Sequence, residues 1–323
     1  MAIEAPKPLL EVRNLDVTLK KRDTFFKVLD DLSFHVYPGE ILGLVGESGA
    51  GKSMTGSAIL GLIEKPLFIS KGEIIFNSQR IENNAISVRG SLISMVFQDP
   101  LISLNPLRRI GDQLVETIRT HISLDKTQAI TYAKNLLEEV GIDKNRFHDY
   151  PHTFSGGMRQ RVVIALALAP RPSLIIADEP TTALDVSVQA QILALLKRLC
   201  KERGTSIILI THDMGVIAET ADRVAVLYSG SLAEIGATFE VLSNPMHPYT
   251  QGLIAATPRI DPETLNKKLY QIPGKMPNLS EIPDGCPFHK RCLQTTPQCY
   301  QVKPPLLYER ASCWLLENKT GAI

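Results

Sequence analysis

Residues Gly46–Ser53 read GESGAGKS, and few local folds accommodate such a run. It fits the phosphate-loop pattern G-x-x-x-x-G-K-[ST] without a mismatch. The apolar run Ile41-Leu42-Gly43-Leu44-Val45 before it reads as a buried strand. The stretch Met54 to Ile63 after it has no proline and is apolar enough for a buried helix. In a strand–loop–helix turn the glycines bring backbone N–H groups against phosphate oxygens, at the end of the helix that carries partial positive charge. Lys52 would reach the β- and γ-phosphates of a nucleotide, and the Ser53 hydroxyl would ligate Mg²⁺. Gly46, Glu47, Ser48, Gly49, Ala50, Gly51, Lys52, Ser53 and Met54 are therefore candidates for a nucleotide cradle. A Gly-rich turn that binds nothing is the rival reading, and the strand and helix on either side weigh against it.

Bulk properties narrow the partners. The chain has 323 residues, enough for a large core and a smaller second unit. Lys+Arg number 35 and Asp+Glu 34, so the net charge of +1 gives no global electrostatic case for nucleic acid. No apolar run approaches the roughly 20 residues of a spanning helix. The start, MAIEAPKPLLEV, lacks the basic and apolar parts of a signal peptide. A cytoplasmic chain that meets any membrane through a partner is expected.

Short strands at Leu10–Val12, Leu32–Val36 and Glu73–Phe76 suggest an antiparallel layer beside the phosphate-loop strand, and Ser91–Phe97 reads as another strand. Ile110, Leu114 and Ile118, then Ala133, Leu136, Leu137 and Val140, recur at helical spacing. A second βα series follows: strand Leu174–Ala177, helix Val188–Leu199, and strands Ser206–Ile210 and Val224–Leu227. Alternating strands and helices predict a mostly parallel sheet, interrupted by a helical subdomain at about residues 100–155. Beyond Pro245 prolines cluster, and four of the five cysteines fall there. A boundary is placed between about Asn244 and Gln271, with a small cysteine-rich appendix after it.

Further elements follow the phosphate loop in order. Gln98 closes the strand ending Met95-Val96-Phe97. Phe154-Ser155-Gly156-Gly157-Met158-Arg159-Gln160 opens an apolar helix. Leu174-Ile175-Ile176-Ala177-Asp178 leads into Glu179, then come Ala183-Leu184-Asp185, and His212 after the strand Ile207–Ile210. Together these resemble the ATP-binding cassette (ABC) ATPases from roughly Leu9 to Asn244. An apolar strand ending in Asp178 suits Mg²⁺, directly or through water, and Glu179 sits where a general base could orient water. The resemblance implies that Glu179 is the catalytic carboxylate, that His212 contacts the γ-phosphate, and that Gln98 senses Mg²⁺ and nucleotide. It implies too that Ser155, Gly156 and Gly157, with Asp185, complete the ATP site of a facing subunit. The family more often has Leu and Gln where this chain has Phe154 and Met158; the phosphate-meeting residues are intact. Adenine is expected to stack on Phe26, with core packing as that ring's rival role.

Phe97-Gln98-Asp99-Pro100 running into Ser103-Leu104-Asn105-Pro106, and Asn244-Pro245 followed by His247-Pro248-Tyr249-Thr250, resemble the dipeptide/oligopeptide (and nickel) importer ATPases. The two prolines of the latter segment predict a rigid extended connection leaving the core. Cys286, Cys292, Cys299 and Cys313 follow one another with five, six and thirteen residues between successive members. In a cytosolic chain metal binding is the better prior for them. No C-x-x-C pair is present, which weakens zinc. Four thiolates suit a [4Fe–4S] cluster, and members of the resembling branch carry one; zinc or free thiols remain open. Cys200 and Trp314 read as packing residues.

The expected fold is thus α/β: a P-loop ABC ATPase core of mostly parallel sheet, antiparallel β layer and inserted helical subdomain, with a cysteine-rich C-terminal appendix. Residues 1–250 would form the nucleotide-binding domain and 251–323 an oligopeptide-importer-type C-terminal region. The resemblance implies an ATP-hydrolysing importer subunit, peripheral on the cytoplasmic face of a bacterial inner membrane. Its partners would be a second, related ATPase, two membrane-spanning permease subunits and an extracytoplasmic peptide-binding protein. Nickel or another small solute, and a soluble non-transport ABC ATPase, stay open as alternatives.

Overall fold

The computed structural model describes residues 7–82, 84–258 and 270–321. The strands are β1 (Leu10–Lys21), β2 (Thr24–Val36), β3 (Ile41–Val45), β4 (Leu67–Phe76), β5 (Gln79–Arg80), β6 (Ile93–Val96), β7 (Leu174–Asp178), β8 (Ser206–Thr211), β9 (Arg223–Tyr228) and β10 (Ser231–Ala237). The helices are α1 (Lys52–Ile59), α2 (Pro100–Ser103), α3 (Ile110–His121), α4 (Lys126–Glu139), α5 (Gly156–Leu168), α6 (Val186–Arg203), α7 (Met214–Thr220), α8 (Thr238–Ser243) and α9 (Pro248–Ala256), joined by 3₁₀ turns. They form two compact units. One is drawn from Met1–Val36, Leu42–Asn83 and Thr211–Ile323, the other from Tyr37–Ile41 and Asn84–Ile210.

In the first unit β1 pairs antiparallel with both β2 and β4, giving the order β2-β1-β4-β5. This is the expected antiparallel layer. Its strands are longer than the sequence indicated because register shifts near Asn14 and Asp31, both at positive φ, break the alternation of apolar residues. β3 is buried throughout and runs parallel to β9, which turns through Ser229-Gly230 into antiparallel β10. Gly230 has φ +80°, and a Cβ there would lie 2.2 Å from the Val28 carbonyl oxygen. Only glycine gives the turn this close approach to β2.

The tail corrects two expectations. His247-Pro248-Tyr249-Thr250 is the start of α9, not an extended connection. The His247 side chain caps the helix, and Pro248 takes the first turn, where its missing N–H costs nothing. Nor is the cysteine-bearing segment a separate appendix. Cys286, Phe288 and Cys299 share one buried apolar cluster with Val45, Tyr228 and Tyr249. Lys303 binds the Asp30 carboxylate on β2 at 2.7 Å, and the Ser312 N–H donates to the Ala233 carbonyl on β10. Too few apolar residues lie in the tail for independent folding, so it borrows the surface of β9, β10 and α9. Part of the expected boundary, residues 259–269, lies outside the described residues, as does the start of the chain before residue 7.

In the second unit β6, β7 and β8 run parallel in the order β8-β7-β6. Between β6 and β7 the chain forms the expected helical block. α3 buries Ile110, Leu114 and Ile118, and α4 buries Ala133, Leu136 and Leu137 behind a capping box of Asp125 and Gln128. α6 outruns its predicted span because Asp185 caps its start and Gly204, at φ +67°, ends it. No helix among the described residues is long and apolar enough to cross a membrane.

Candidate functional site

The phosphate loop lies in the first unit. β3 delivers it at Val45, and Gly51, at φ +99°, caps α1 in a conformation that disfavours other residues. Lys52 is 6 % exposed, and its Nζ donates to the carbonyls of Gly46 at 2.9 Å and Glu47 at 3.0 Å. Ser53, Ser48 and Gly49 are exposed, and the first turn of α1 carries no acid to oppose an anion. The Gly230 N–H donates to the Ala50 carbonyl at 2.9 Å, tying the loop to the β9–β10 turn. Glu47 is held from outside the loop: its N–H donates to the Tyr249 hydroxyl, and its carboxylate accepts from Arg291. Phe26 lies half-buried on β2, three residues before Leu29, which packs at Gly51. Its neighbour Phe25 turns to Phe68 in an edge contact at 6.3 Å. His212 follows β8, exposed, directly before Asp213, whose carboxylate caps α7.

Sequence reasoning missed Tyr249 and Arg291. The signal was present in the HPYT segment and in the arginine beside Cys292, but their partner lies 202 and 244 residues away. His247 joins them through its Nδ1, which accepts from the Tyr249 N–H at 3.0 Å. Burial drives its pKa from 6.5 down to about 4. The ring is neutral in the folded chain, whereas the unfolded ring takes up a proton below about 6.5. Stability therefore falls as pH drops from about 6.5 to about 4, by up to about 3 kcal/mol from this residue. Denaturation midpoints across that window should show the loss. H247N, which keeps a capping acceptor, should flatten it, and a wild-type profile no steeper than the variant's would refute the assignment.

In the second unit β7 presents buried Asp178 at its C-terminal end, and Glu179 follows. Glu179 has φ +46°, rare for a residue with a Cβ, and its N–H is held by the Ile210 carbonyl at 2.9 Å. Its carboxylate accepts from Gln98 Nε2 at 3.0 Å and from the Thr182 hydroxyl at 2.8 Å. Two predicted residues, Gln98 and Glu179, thus meet, and Thr182 is an unpredicted third. Fixing one carboxylate oxygen with two donors aims the group in a defined direction.

Ser155 caps α5, accepting from the Met158 N–H at 3.4 Å. Ser155 and Gly156 are exposed, so this helix tip offers bare N–H groups. The unusual Phe154 and Met158 have a physical reason. Arg146 stacks on the Phe154 ring at 4.2 Å and donates to the Met158 sulfur at 3.5 Å. It also binds Asp149 and the Thr153 carbonyl. Asp185 is exposed and occupied locally, its carboxylate accepting from Ser187 and the Val188 N–H, contacts that lower its pKa.

Cys286, Cys292 and Cys313 each lie close enough to other thiols of the tail to feel their charge. Burial first, and neighbouring thiols after it, push Cys286 up to about 12 and raise Cys292 and Cys313. Thiols suit a metal in their donor chemistry, but only Cys286, Cys292 and Cys299 share an apolar cluster, while Cys313 packs in a second one with Ala311 and Leu316. Their placement does not form a cage: among the described residues no group of three or more His, Cys, Asp or Glu is set to hold a metal ion. The cluster expected from the sequence is therefore not supported by the arrangement of its ligands. Cys200 and Trp314 pack as expected, Cys200 buried at the end of α6 and Trp314 against the apolar cluster of the first unit.

Comparison with known proteins gives two family matches, "ABC transporter" over residues 29–182 and "Oligopeptide/dipeptide transporter, C-terminal region" over residues 233–299. The chain is 46 % identical to the oligopeptide transport ATP-binding protein OppD of Haemophilus influenzae, over 97 % of this chain and 98 % of that one. It is 42 % identical to the oligopeptide transport ATP-binding protein AppD of Bacillus subtilis, over 96 % and 98 %. Among solved structures it resembles a dimeric ATP-binding cassette in a post-hydrolysis state bound to ADP and Pi. That match has a TM-score of 0.63 and 26 % identity, and covers 71 % of this chain and 98 % of the other. It also resembles cbiO1 from Clostridium perfringens, part of the ABC transporter complex cbiONQ, at TM-score 0.65 and 27 % identity, over 73 % and 91 %.

Proposed function

Because this chain belongs to the ABC transporter ATP-binding proteins, in their oligopeptide/dipeptide branch, we propose that it hydrolyses ATP to drive peptide import through partner membrane subunits. The observation that carries this reading is the aimed Glu179 carboxylate, in a chain that also bears a folded phosphate loop. In the proposed division of roles, Lys52, Ser53 and the loop N–H groups take the phosphates. By the resemblance, Ser53, Gln98 and Asp178 would each serve as ligands to Mg²⁺, which would neutralise charge on the phosphates. Glu179 accepts a proton from the attacking water, and His212 contacts the γ-phosphate. Phe26 stacks on adenine. Ser155, Gly156, Gly157 and Asp185 serve the site of a second, related ATPase, whose own serine–glycine tip completes this one.

The rest of the assembly is two permease subunits and an extracytoplasmic peptide-binding protein, with this chain on the cytoplasmic face of the membrane. Residues 1–250 are the nucleotide-binding part in this scheme and 251–323 the branch-specific part. For Cys286, Cys292, Cys299 and Cys313 the sequence resemblance alone supports a [4Fe–4S] cluster, with zinc as the alternative, since among the described residues they are not set as a cage for either. Such a group would supply a structural staple for the tail.

Affinity purification of the full chain from membranes tests both levels. Two permeases, a second ATPase and peptide-stimulated hydrolysis are expected, with iron and acid-labile sulfide in equal amounts. Ribosomes or nucleic acid in place of permeases would refute transport, and stimulation by nickel or another small solute alone would refute peptide as the cargo. Zinc alone, or no metal, would overturn the cluster and leave the ATPase standing.

A further inference from the structure

Glu47 is an awkward residue for its position. It places a carboxylate in a loop that must accept a polyanion, and like charges at short range weaken binding. The tail deals with this charge. Arg291 forms a two-pronged pair with it, Nη1 to Oε2 at 2.7 Å and Nη2 to Oε1 at 3.0 Å, with the Arg291 side chain 6 % exposed. Arg291 is itself locked in place. Its Nε donates to the Pro273 carbonyl at 2.7 Å, and its guanidinium lies over the rings of Tyr228 and Phe288 at 5.7 and 5.9 Å.

A second hold acts on the backbone. Tyr249 is fully buried, its ring 4.7 Å from that of Tyr228 and 5.3 Å from that of Phe288, and its hydroxyl accepts from the Glu47 N–H at 2.9 Å. The carbonyl of the same residue accepts from Lys52. Glu47 is thus clamped at its N–H and its carboxylate by residues of the C-terminal region, while its carbonyl seats the lysine.

Resting on the reading that ATP phosphates occupy the Gly46–Ser53 loop, we propose that Arg291 and Tyr249 are positioning residues that set the affinity for MgATP through Glu47. Arg291 cancels the Glu47 charge and holds the carboxylate against the packed tail. Tyr249 fixes the backbone on which Lys52 rests. The HPYT segment and the branch-specific tail, both distant in sequence from the phosphate loop, thereby tune the first step of the cycle.

The test measures MgATP binding to the full-length chain, and KM and kcat in the assembled transporter. R291Q should weaken MgATP binding on the order of ten-fold, with kcat within about two-fold of wild type. The double variant E47Q/R291Q should recover most of the loss, because no unpaired carboxylate remains. E47Q alone, which leaves the arginine in place, should bind MgATP more tightly than wild type. Y249F should raise KM several-fold, since a buried N–H loses its acceptor. An unchanged KM in R291Q, or a double variant no better than R291Q, would overturn the proposal. Should R291Q fail to fold, weaker binding by E47Q would overturn it just as well. A wild-type chain that binds no MgATP at all would instead sink the nucleotide site itself.

Discussion

E179Q is expected to lose ATP hydrolysis by at least about a hundred-fold while retaining ATP, the scale of removing a positioned general base. The substitution keeps the shape of the side chain, so the Ile210 carbonyl can still hold the backbone N–H at position 179. An amide oxygen still accepts from Gln98 or Thr182, which now share a weaker acceptor. What disappears is the basic oxygen. Phosphate release and retained nucleotide, measured on one assembled sample, separate this outcome from loss of binding. The positive φ of Glu179 sharpens the point, because a strained backbone persists only where its surroundings over-determine it. Turnover at the wild-type rate would remove Glu179 from the base role.

G230A is expected to destabilise the first unit by at least about 3 kcal/mol, combining the left-handed backbone penalty with overpacking. A methyl there lies 2.2 Å from the Val28 carbonyl oxygen and 3.2 Å from the Leu29 Cα, and backbone atoms cannot swing aside as a long side chain can. The damage should reach the phosphate loop, since the Gly230 N–H binds the Ala50 carbonyl and the Gly230 carbonyl accepts from the Asp30 N–H. A lowered denaturation midpoint together with weakened nucleotide binding is the expected result. G204A is a fair comparison: its φ is also positive, but its Cβ would meet open space, so only the backbone penalty applies. Equal midpoints for the two variants would show that the turn tolerates the methyl.

What the sequence made legible was local. Strand, loop and helix from Ile41 to Ile59 lie within a few turns of chain, so pattern alone found them. Asp178 and Glu179 were visible because a fully apolar strand ends on them. The partners of Glu179 and Glu47 were not, because Gln98 and Arg291 reach them across 81 and 244 residues. α9 was read as extended because Pro248 looks like a breaker, while in the first turn of a helix proline is favoured. β10 escaped notice because in Ser231–Ala237 the two large apolar residues, Leu232 and Ile235, stand three apart among small residues and Glu234, against strand alternation. The tail was taken for a stapled appendix because its few apolar residues were counted alone, without Tyr228 and Tyr249 beneath them.

Arg146 makes epistasis a property of the α5 tip. Its guanidinium spans an aromatic face on one side and a thioether on the other, so neither neighbour answers to the phosphate chemistry by itself. Exchanging Phe154 or Met158 singly for the residue common elsewhere would remove one of the guanidinium's flanking contacts and leave Asp149 and the Thr153 carbonyl to hold it. The three side chains solve one packing problem together, so substitutions at these positions should be non-additive in stability.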